Sequence, residues 1–356
     1  MKTGTKLSRR DFLVGAVAAT AGGVAAACAA PGAAPQQLVA TAAPEATQAA
    51  APAAQGAAEE LYGMVVFLKG SEFFNWCYKG MLDAAARLGP HVKTELQGPA
   101  EWDASLEAKA ISELVARGAT GILATCGDAK AMNSDIDKAM AAAIPVITFD
   151  SDSDGSQRLC YCGTASYAAG QAAGVAMQRW LGQSGKVAIS FFPGPLHIAQ
   201  RVQGFKDALK ALSPAITTID VNDGGQAETA EAAITAALQA NPDVTGIFCA
   251  HGNPGIGAAS AVRATNMVGK VTLLTFDYSA PIIELMEKGE VKGTVGQQPY
   301  MMGYNGLLLA YGAAKKGSVD AFNNGELGPC ITADIDTGVE ILDKDSVQVY
   351  KTPPKL

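Results

Sequence analysis

The stretch Val146-Ile147-Thr148-Phe149-Asp150 returns in similar form as Leu273-Leu274-Thr275-Phe276-Asp277. In both places an apolar run, of the kind that forms a buried β-strand, ends at an aspartate. A second echo precedes each of them: Gly121-Ile122-Leu123 begins 29 positions before the first aspartate, and Gly246-Ile247-Phe248 begins 31 positions before the second. Two echoes at matching spacing predict two similar domains.

Short β-rich runs alternate with amphipathic segments from Tyr62 onward, which is typical of a parallel α/β sheet. The predicted strands lie near Tyr62–Leu68, Val92–Leu96, Gly121–Thr125, Val146–Phe149 and Leu159–Cys162, and then near Val187–Phe192, Ala215–Val221, Gly246–Ala250, Val271–Phe276 and Val291–Gly296. The predicted helices lie near Phe74–Leu88, Asp103–Arg117, Ala129–Ala143, Ile198–Leu212, Ala227–Gln239 and Ser279–Lys288. The pattern indicates an α/β fold with two similar, Rossmann-like, three-layer domains.

Asp150 and Asp277 each follow the carboxyl end of a predicted strand. Ligands of open α/β sheets bind at that edge, so two facing domains would bring both carboxylates into one cleft that closes about hinges. Each aspartate could instead cap the N-terminus of the next helix. The paired placement favours a role in a ligand site.

The first 28 residues have the features of an export signal. Ser8-Arg9-Arg10-Asp11-Phe12-Leu13 leads into an uncharged run that ends at Ala27 and is too short to span a membrane comfortably. The paired arginines and the weakly apolar, glycine-rich run resemble a twin-arginine signal peptide, which we assign to residues 1–27. Ala25-Ala26-Ala27-Cys28 resembles a lipobox with Ala25 in place of the usual Leu, so Cys28 is either lipidated or exposed by simple cleavage.

Residues 28–60 are predicted to form a flexible tether after Cys28. They consist mainly of Ala, Pro, Gln and Thr, and such a chain cannot bury a core and reaches on the order of 30 Å as a random coil. The whole chain has a net charge of −7, and removal of residues 1–27, with four basic residues and one acidic residue, makes it −10. This acidic balance provides no basic patch for nucleic acid.

Six further cysteines leave fifteen full disulfide pairings open. They are Cys77, Cys126, Cys160, Cys162, Cys249 and Cys330. No histidine or second cysteine pair stands at a metal-ligand spacing near Cys160 and Cys162. We therefore expect no metal site and no cofactor, and we interpret most of the cysteines as small buried apolar groups.

An ordered set of segments carries a family resemblance. The segments are Phe73-Phe74 with Lys79-Gly80 and Ala84-Ala85; Ile144-Pro145-Val146-Ile147-Thr148-Phe149-Asp150; Arg201-Val202-Gln203-Gly204-Phe205; Gly246-Ile247-Phe248; and Thr294-Val295-Gly296-Gln297-Gln298-Pro299. Together they resemble the ribose and galactose type of periplasmic sugar-binding protein, which supplies ABC importers. The resemblance covers residues 62–350 and implies a type I periplasmic binding fold with a three-segment hinge. It implies one lobe of residues 61–164 and 298–335, and another of residues 165–297 and 336–356.

The resemblance also implies which side chains contact the ligand. Carboxylates, amides and guanidinium groups hold sugar hydroxyls in this family, and aromatic rings cover the apolar sugar faces. Phe73 and Phe74 are similar to its stacking residues, Arg201 to its ligand-facing arginine, and Gln297 to its hinge-side amide. His251 is added because it follows the strand of the second echo. The full predicted set is Ser71, Phe73, Phe74, Thr125, Asp150, Ser151, Arg201, His251, Asp277 and Gln297.

Several positions depart from the family pattern, so the hydroxyl pattern recognised must differ. Ser71-Glu72 replaces Asn-Pro, Ser151 stands where ribose binders have Arg, and His251-Gly252 stands where they have Asn-Asp. Thr125 occupies another amide position, and Gly225 stands where an aromatic side chain would close the second wall. Trp76, Trp102 and Tyr278 are candidates to replace that wall or to pack structurally.

We therefore expect a monomeric binding protein, not an enzyme, that captures a sugar or polyol in the periplasm or at the outer face of the cytoplasmic membrane. Its expected partners are an ABC permease and the ATPase of that permease, with membrane contact through the lipid anchor only. A quorum-signalling furanose, a nucleoside or an amide remains open as cargo. A glycoside-processing enzyme with paired carboxylates has less support, because no nucleophile elbow, phosphate loop or metal motif is present. A sugar-responsive repressor would begin with a helix-turn-helix.

Overall fold

A computed structural model describes residues 58–101, 103–315, 332–352 and 356. The predicted signal peptide, Cys28 and most of the predicted tether lie outside the described residues, as do Trp102 and Cys330.

The strands alternate with helices along most of the chain. The strands are β1 (Glu60–Val65), β2 (Val92–Gln97), β3 (Gly121–Ala124), β4 (Val146–Thr148), β5 (Cys160–Gly163), β6 (Ser184–Phe191), β7 (Ala215–Asn222), β8 (Gly246–Cys249), β9 (Thr272–Phe276), β10 (Gly293–Gly296), β11 (Asp334–Asp336) and β12 (Glu340–Leu342). The helices are α1 (Glu72–Leu88), α2 (Ala104–Ala116), α3 (Ala129–Ala141), α4 (Ser166–Leu181), α5 (Leu196–Leu212), α6 (Ala227–Ala240), α7 (Pro254–Ala264), α8 (Ala280–Glu287) and α9 (Pro299–Lys315), followed by the 3-10 helix Ser346–Tyr350.

Two six-stranded sheets form two lobes. The first sheet has the order β2-β1-β3-β4-β5-β11, and the second has the order β7-β6-β8-β9-β10-β12. Every pairing is parallel except that of β10 with β12. The first five strands of each sheet follow the same order, so the internal repeat predicted from the sequence is confirmed as two similar α/β domains.

The second sheet is buried on both faces, as a parallel sheet requires. Successive residues of β8 alternate between the faces: Ile247 and Cys249 belong to one apolar cluster, whereas Phe248 belongs to another. All three are fully buried. This arrangement of helix, sheet and helix is the predicted three-layer domain.

The chain crosses between the lobes three times: after β5, after β10, and between β11 and β12. Hydrogen bonds tie the three crossings together. The backbone N–H of Thr337 donates to the Gly163 oxygen at 2.8 Å, and that of Ala165 donates to Oδ1 of Asp336 at 3.0 Å. The Thr164 hydroxyl donates to Oε1 of Gln297 at 2.7 Å. These crossings form the predicted three-segment hinge.

Helices α4, α7 and α9 are not among the helices that the sequence pattern predicts. They are rich in Ala and Gly, so their apolar periodicity is weak. Packing supplies the reason for this composition. A Cβ added to Gly303 of α9 would lie 1.8 Å from the Cys77 oxygen of α1, and one added to Gly80 of α1 would lie 2.0 Å from the Tyr300 oxygen. Glycines on both helices therefore allow the two backbones to touch.

This contact predicts the effect of Gly303→Ala. The new methyl group cannot be accommodated without separating α1 from α9, so we expect the free energy of unfolding to fall by ~1 to 3 kcal/mol or more, as in overpacked cores. Gly312→Ala on the same helix is the matched control, because an added Cβ there meets no atom within 4 Å. Better helix propensity should stabilise that variant by up to ~1 kcal/mol. Urea denaturation measures both, and an equal loss in the two variants would contradict the close contact.

Candidate functional site

Asp150 and Asp277 occupy the same unusual backbone conformation at the ends of β4 and β9. Their φ angles are 58° and 63°, in the left-handed region that non-glycine residues rarely adopt. At Asp150 the turn is closed by a 2.7 Å hydrogen bond from the Ser151 N–H to the Phe149 oxygen. Neither aspartate is the N-cap of a helix, since Ser279 takes that position before α8 and Asp150 leads into the loop before β5. Such strain concentrates at functional sites.

Arg201 of α5 has only 2% of its surface exposed. Its terminal nitrogens donate to the Ala250 oxygen at 3.2 Å and to Oε1 of Gln297 at 3.1 Å. Its guanidinium carbon lies 3.9 Å from the centre of the Phe276 ring. The Nε atom is buried and has no hydrogen-bond partner. The guanidinium is therefore held in place by its terminal nitrogens, while its Nε–H is left without a partner.

Arg201, Asp150 and the half-buried Asp277 influence one another electrostatically. Burial raises the pKa of Asp150 from 3.8 to about 7, against the lowering effect of Arg201, and Asp277 adds to the increase. Burial also raises the pKa of Asp277, which Arg201, Gln297 and His251 lower. Among the described residues, however, no ion pair joins Arg201 to either carboxylate, and the Asp150 carboxylate receives no hydrogen bond. The groups are near enough to interact electrostatically but are not in direct contact.

Gln297 connects the hinge to these charges. Its Oε1 atom accepts from both Thr164 and Arg201, and its Nε2 atom donates to Oδ1 of Asp277 at 2.7 Å. Only 2% of the residue is exposed. The amide predicted on the hinge side thus contacts a crossing segment and two charged groups at once.

His251 is oriented by a carboxylate that the sequence analysis does not identify. Its Nε2 atom lies 3.1 Å from Oδ2 of Asp223, which is fully buried. Asp223 also accepts from the Ser190 hydroxyl and the Gly225 N–H, both at 2.8 Å. Burial tends to raise the pKa of Asp223, but these hydrogen bonds, led by that of His251, lower it. Because an ionised carboxylate only accepts, Nε2 carries the imidazole proton.

The two predicted stacking residues have different surroundings at the start of α1. Phe74 is 2% exposed and packs edge-on against Phe67 and Phe149, so it belongs to the core of the first lobe. Phe73 is only partly buried and meets the Phe74 ring at 5.4 Å. Ser71 is at the N-cap position of α1, and its side chain makes no capping bond. Phe73 is the better placed of the pair to meet a ligand.

Ser151 and Thr125 are both buried, and their hydroxyls are already engaged. The Ser151 hydroxyl donates to the Cys126 oxygen at 2.6 Å and lies 3.4 Å from Nδ1 of His197 in the opposite lobe. The Thr125 hydroxyl donates to Oε1 of Glu107 at 2.5 Å. Burial raises the pKa of Glu107 to about 7, despite hydrogen bonds that lower it. Thr125 thus has no free donor for a ligand.

Cys77 and Tyr161 also lie beside the aspartates and are missing from the predicted site. Burial raises the pKa of the Cys77 thiol, and Asp150 and Asp277 raise it further, so Cys77 is near both. The Tyr161 hydroxyl donates to the backbone oxygen of Asp150 at 3.0 Å. Cys77 is one helical turn after Phe73, a spacing that could have indicated it. Asp223 follows β7 directly, and the strand-end rule could have found it.

The five cysteines within the described ranges are buried and form no disulfide. In the same part of the chain, no group of His, Cys, Asp and Glu side chains could hold a metal ion. Among these residues, no helix has the length and apolar character needed to cross a membrane.

Two hinged lobes with buried polar groups at their junction define a two-lobed solute-binding protein. Residues 62–318 match the model of the periplasmic binding protein domain, and the chain belongs to this family.

Its relatives bind sugars. The chain is 27% identical over 221 residues to the ribose import binding protein RbsB of Haemophilus influenzae, covering 62% of this chain and 74% of that protein. It is 30% identical to the arabinose-binding protein AraP of Geobacillus stearothermophilus. The TM-score is 0.75, and the match covers 82% of this chain and 99% of AraP. A Burkholderia graminis solute-binding protein in complex with D-arabinose is 27% identical, with a TM-score of 0.71 over 84% of this chain and 100% of that one. The Burkholderia graminis protein is an ABC transporter solute-binding protein, and this chain is similar to it and to the ribose- and arabinose-binding proteins.

The buried carboxylate predicts a gain in stability for Asp150→Asn at alkaline pH. A folded-state pKa of about 7, against an ordinary value of 3.8, means that the folded protein loses stability as the pH rises between those values. At pH 8 the neutral amide should raise the free energy of unfolding by ~1 to 4 kcal/mol, at about 1.4 kcal/mol per pKa unit. The difference should vanish below pH 4. Urea denaturation at pH 4 and pH 8 checks this, with the exposed Asp154→Asn as the control. No gain at pH 8 would mean that Asp150 is hydrated in solution.

Proposed function

We propose that this protein is the extracytoplasmic binding component of an ABC importer and captures a sugar or polyol between its lobes. One observation carries the proposal: Asp150 and Arg201 are buried, and Asp277 is half-buried close enough to change their pKa values, without direct ion pairs within the described residues. Buried charges normally acquire partners, because desolvation without hydrogen bonds is costly. A ligand that offers several polar groups would supply those partners.

Hydroxyl groups suit this site because each can donate and accept at the same time. A hydroxyl could donate to the Asp150 carboxylate, which accepts no hydrogen bond within the described residues, while accepting from Nε of Arg201. A second hydroxyl could share Asp277 with Gln297. Phe73 would then cover an apolar face of the sugar ring. A site built in this way discriminates strongly against analogues that lack a hydroxyl.

Hinge closure provides the capture step. Asp150 belongs to the first lobe, whereas Arg201 and Asp277 belong to the second, so their shared ligand would hold the lobes together. Gln297 would link the ligand site to the hinge, because its Oε1 atom accepts a hydrogen bond from Thr164 in a crossing segment. We place the lobes at residues 61–164 with 298–335 and at residues 165–297 with 336–356.

The mutations Asp150→Ala and Asp277→Ala should each weaken sugar binding by at least ~1 to 3 kcal/mol, because ligand hydroxyls would lose a buried acceptor. Isothermal titration against D-ribose, D-arabinose, D-allose, D-xylose and D-galactose measures the affinities. Asp207→Ala is the control, since this carboxylate is on the same helix as Arg201 but faces solvent. Nucleosides and amides in the same panel test a non-sugar cargo.

Unchanged affinity in both aspartate variants would remove these residues from the site. Mass spectrometry of the ligand recovered from the complex tests the alternative of a glycoside-processing enzyme. A chemically intact sugar agrees with a carrier, whereas turnover would overturn the proposal.

Export and anchoring complete the proposed role. Residues 1–27 would direct export by the twin-arginine route, and a lipid on Cys28 would hold the tethered, monomeric protein at the outer face of the cytoplasmic membrane beside the permease and its ATPase. Replacing Arg9 and Arg10 together by Lys should retain the protein in the cytoplasm. Cys28→Ser should export it but release it from the membrane. Immunoblots of cell fractions measure both, and membrane retention of the Cys28→Ser protein would contradict lipid anchoring.

A further inference from the structure

A cavity of about 600 Å³, called here the outer cavity, lies beside Ser151 and is lined by both lobes. Its walls come from the loops after β3 and β4 in the first lobe and from the loop between β6 and α5 in the second. Its size falls within the range of about 300 to 1,000 Å³ typical of cavities that enclose drug-sized ligands. This is more space than one sugar ring needs.

The wall from the second lobe is apolar. It presents Phe192, Pro193, Pro195 and Leu196, and Leu196 is 51% exposed. The Phe192 ring meets the His251 ring edge-on at 4.9 Å and lies over Gly225, where an added Cβ would be 3.5 Å from the ring. Phe192 therefore occupies the side of the cleft where Gly225 provides no side chain.

The wall from the first lobe is polar. It presents the carboxylates of Asp128 and Asp154 and the ammonium group of Lys130, all on exposed residues. Asp128 is fixed in place, because its carboxylate accepts from the N–H groups of Lys130 and Ala131 at the start of α3. An apolar occupant would cover the polar groups of Lys130 and Asp154 without replacing their water, whereas a hydroxylated ring could pair with them and place its apolar face on Phe192.

The outer cavity adjoins the candidate site in both lobes. Ser151, which lines the cavity, directly follows Asp150. On the other lobe, Phe192 contacts His251, and His251 is close enough to Asp277 to lower the pKa of that carboxyl. A ligand held by the two aspartates could therefore extend into the cavity without leaving the cleft.

We propose that the outer cavity is a second sugar subsite, so that the ligand is a disaccharide or another glycoside. This inference rests on the proposed function. One ring binds at Asp150 and Asp277, and the other stacks on Phe192 while its hydroxyls face Asp128 and Asp154.

Isothermal titration of the full chain tests this with matched probes: galactose and lactose, glucose and cellobiose, xylose and xylobiose, arabinose and arabinobiose. At least one disaccharide should bind ten times more tightly than either of its component sugars. Phe192→Ala and Leu196→Ser should each reduce that gain at least fivefold, and Leu196→Ser, at an exposed position away from Asp150 and Asp277 in sequence, should change monosaccharide affinity less than twofold. Leu212→Ser is the matched control, because Leu212 is at the other end of α5 and is 46% exposed.

The outcomes separate this inference from the proposed function. Monosaccharide binding with no disaccharide that binds more tightly would overturn the second subsite and leave the carrier role intact. A disaccharide gain that survives both Phe192→Ala and Leu196→Ser would also overturn it, because the second ring would then lie elsewhere. Failure of every sugar to bind would overturn both proposals.

Discussion

Burial of the Arg201 guanidinium and the Asp150 carboxylate at the junction of the lobes, with the half-buried Asp277 nearby, is the constraint on which the site depends. Arg201 cannot reach solvent, and its charge is balanced by Asp277 in its own lobe and by Asp150 in the other. Since none of these groups forms a direct ion pair within the described chain, their desolvation is only partly compensated. A polar guest that bridges them would stabilise the closed arrangement of the lobes, which links ligand binding to closure.

Close helix packing holds Arg201 in this position. A Cβ on Gly204, three residues after Arg201, would lie 2.1 Å from the Tyr167 oxygen, and one on Gly170 would lie 2.1 Å from the Arg201 oxygen itself. Helices α4 and α5 therefore touch backbone to backbone at the level of the arginine. Glycines also allow the backbones of α1 and α9 to touch, so both lobes present their site residues from tightly packed helix pairs.

The site is formed at the expense of stability. Two aspartates adopt a left-handed conformation, and one of them is buried without a hydrogen bond to its carboxylate from the described residues. Features of this kind persist only where the surrounding structure enforces them, and they are common where a protein must bind and release a ligand. Gln297 shares its amide between the hinge and the site, so the strained region is connected to the segments about which the lobes move.

Strands β1 to β10, the two-domain repeat and the placement of Asp150 and Asp277 at strand ends follow from the sequence alone, because apolar runs and strand ends are local patterns. The neighbours with which each site residue bonds or packs are decided only by the tertiary structure, since side chains from distant segments compete for the same donor and acceptor atoms. Thr125 is engaged by Glu107, His251 is oriented by Asp223, and Phe74 enters the core while Phe73 does not. Helices α4, α7 and α9 were not predicted, for a related reason. The close contacts of α4 and α9 with neighbouring helices require glycines, and those glycines weaken the apolar periodicity by which a helix is recognised.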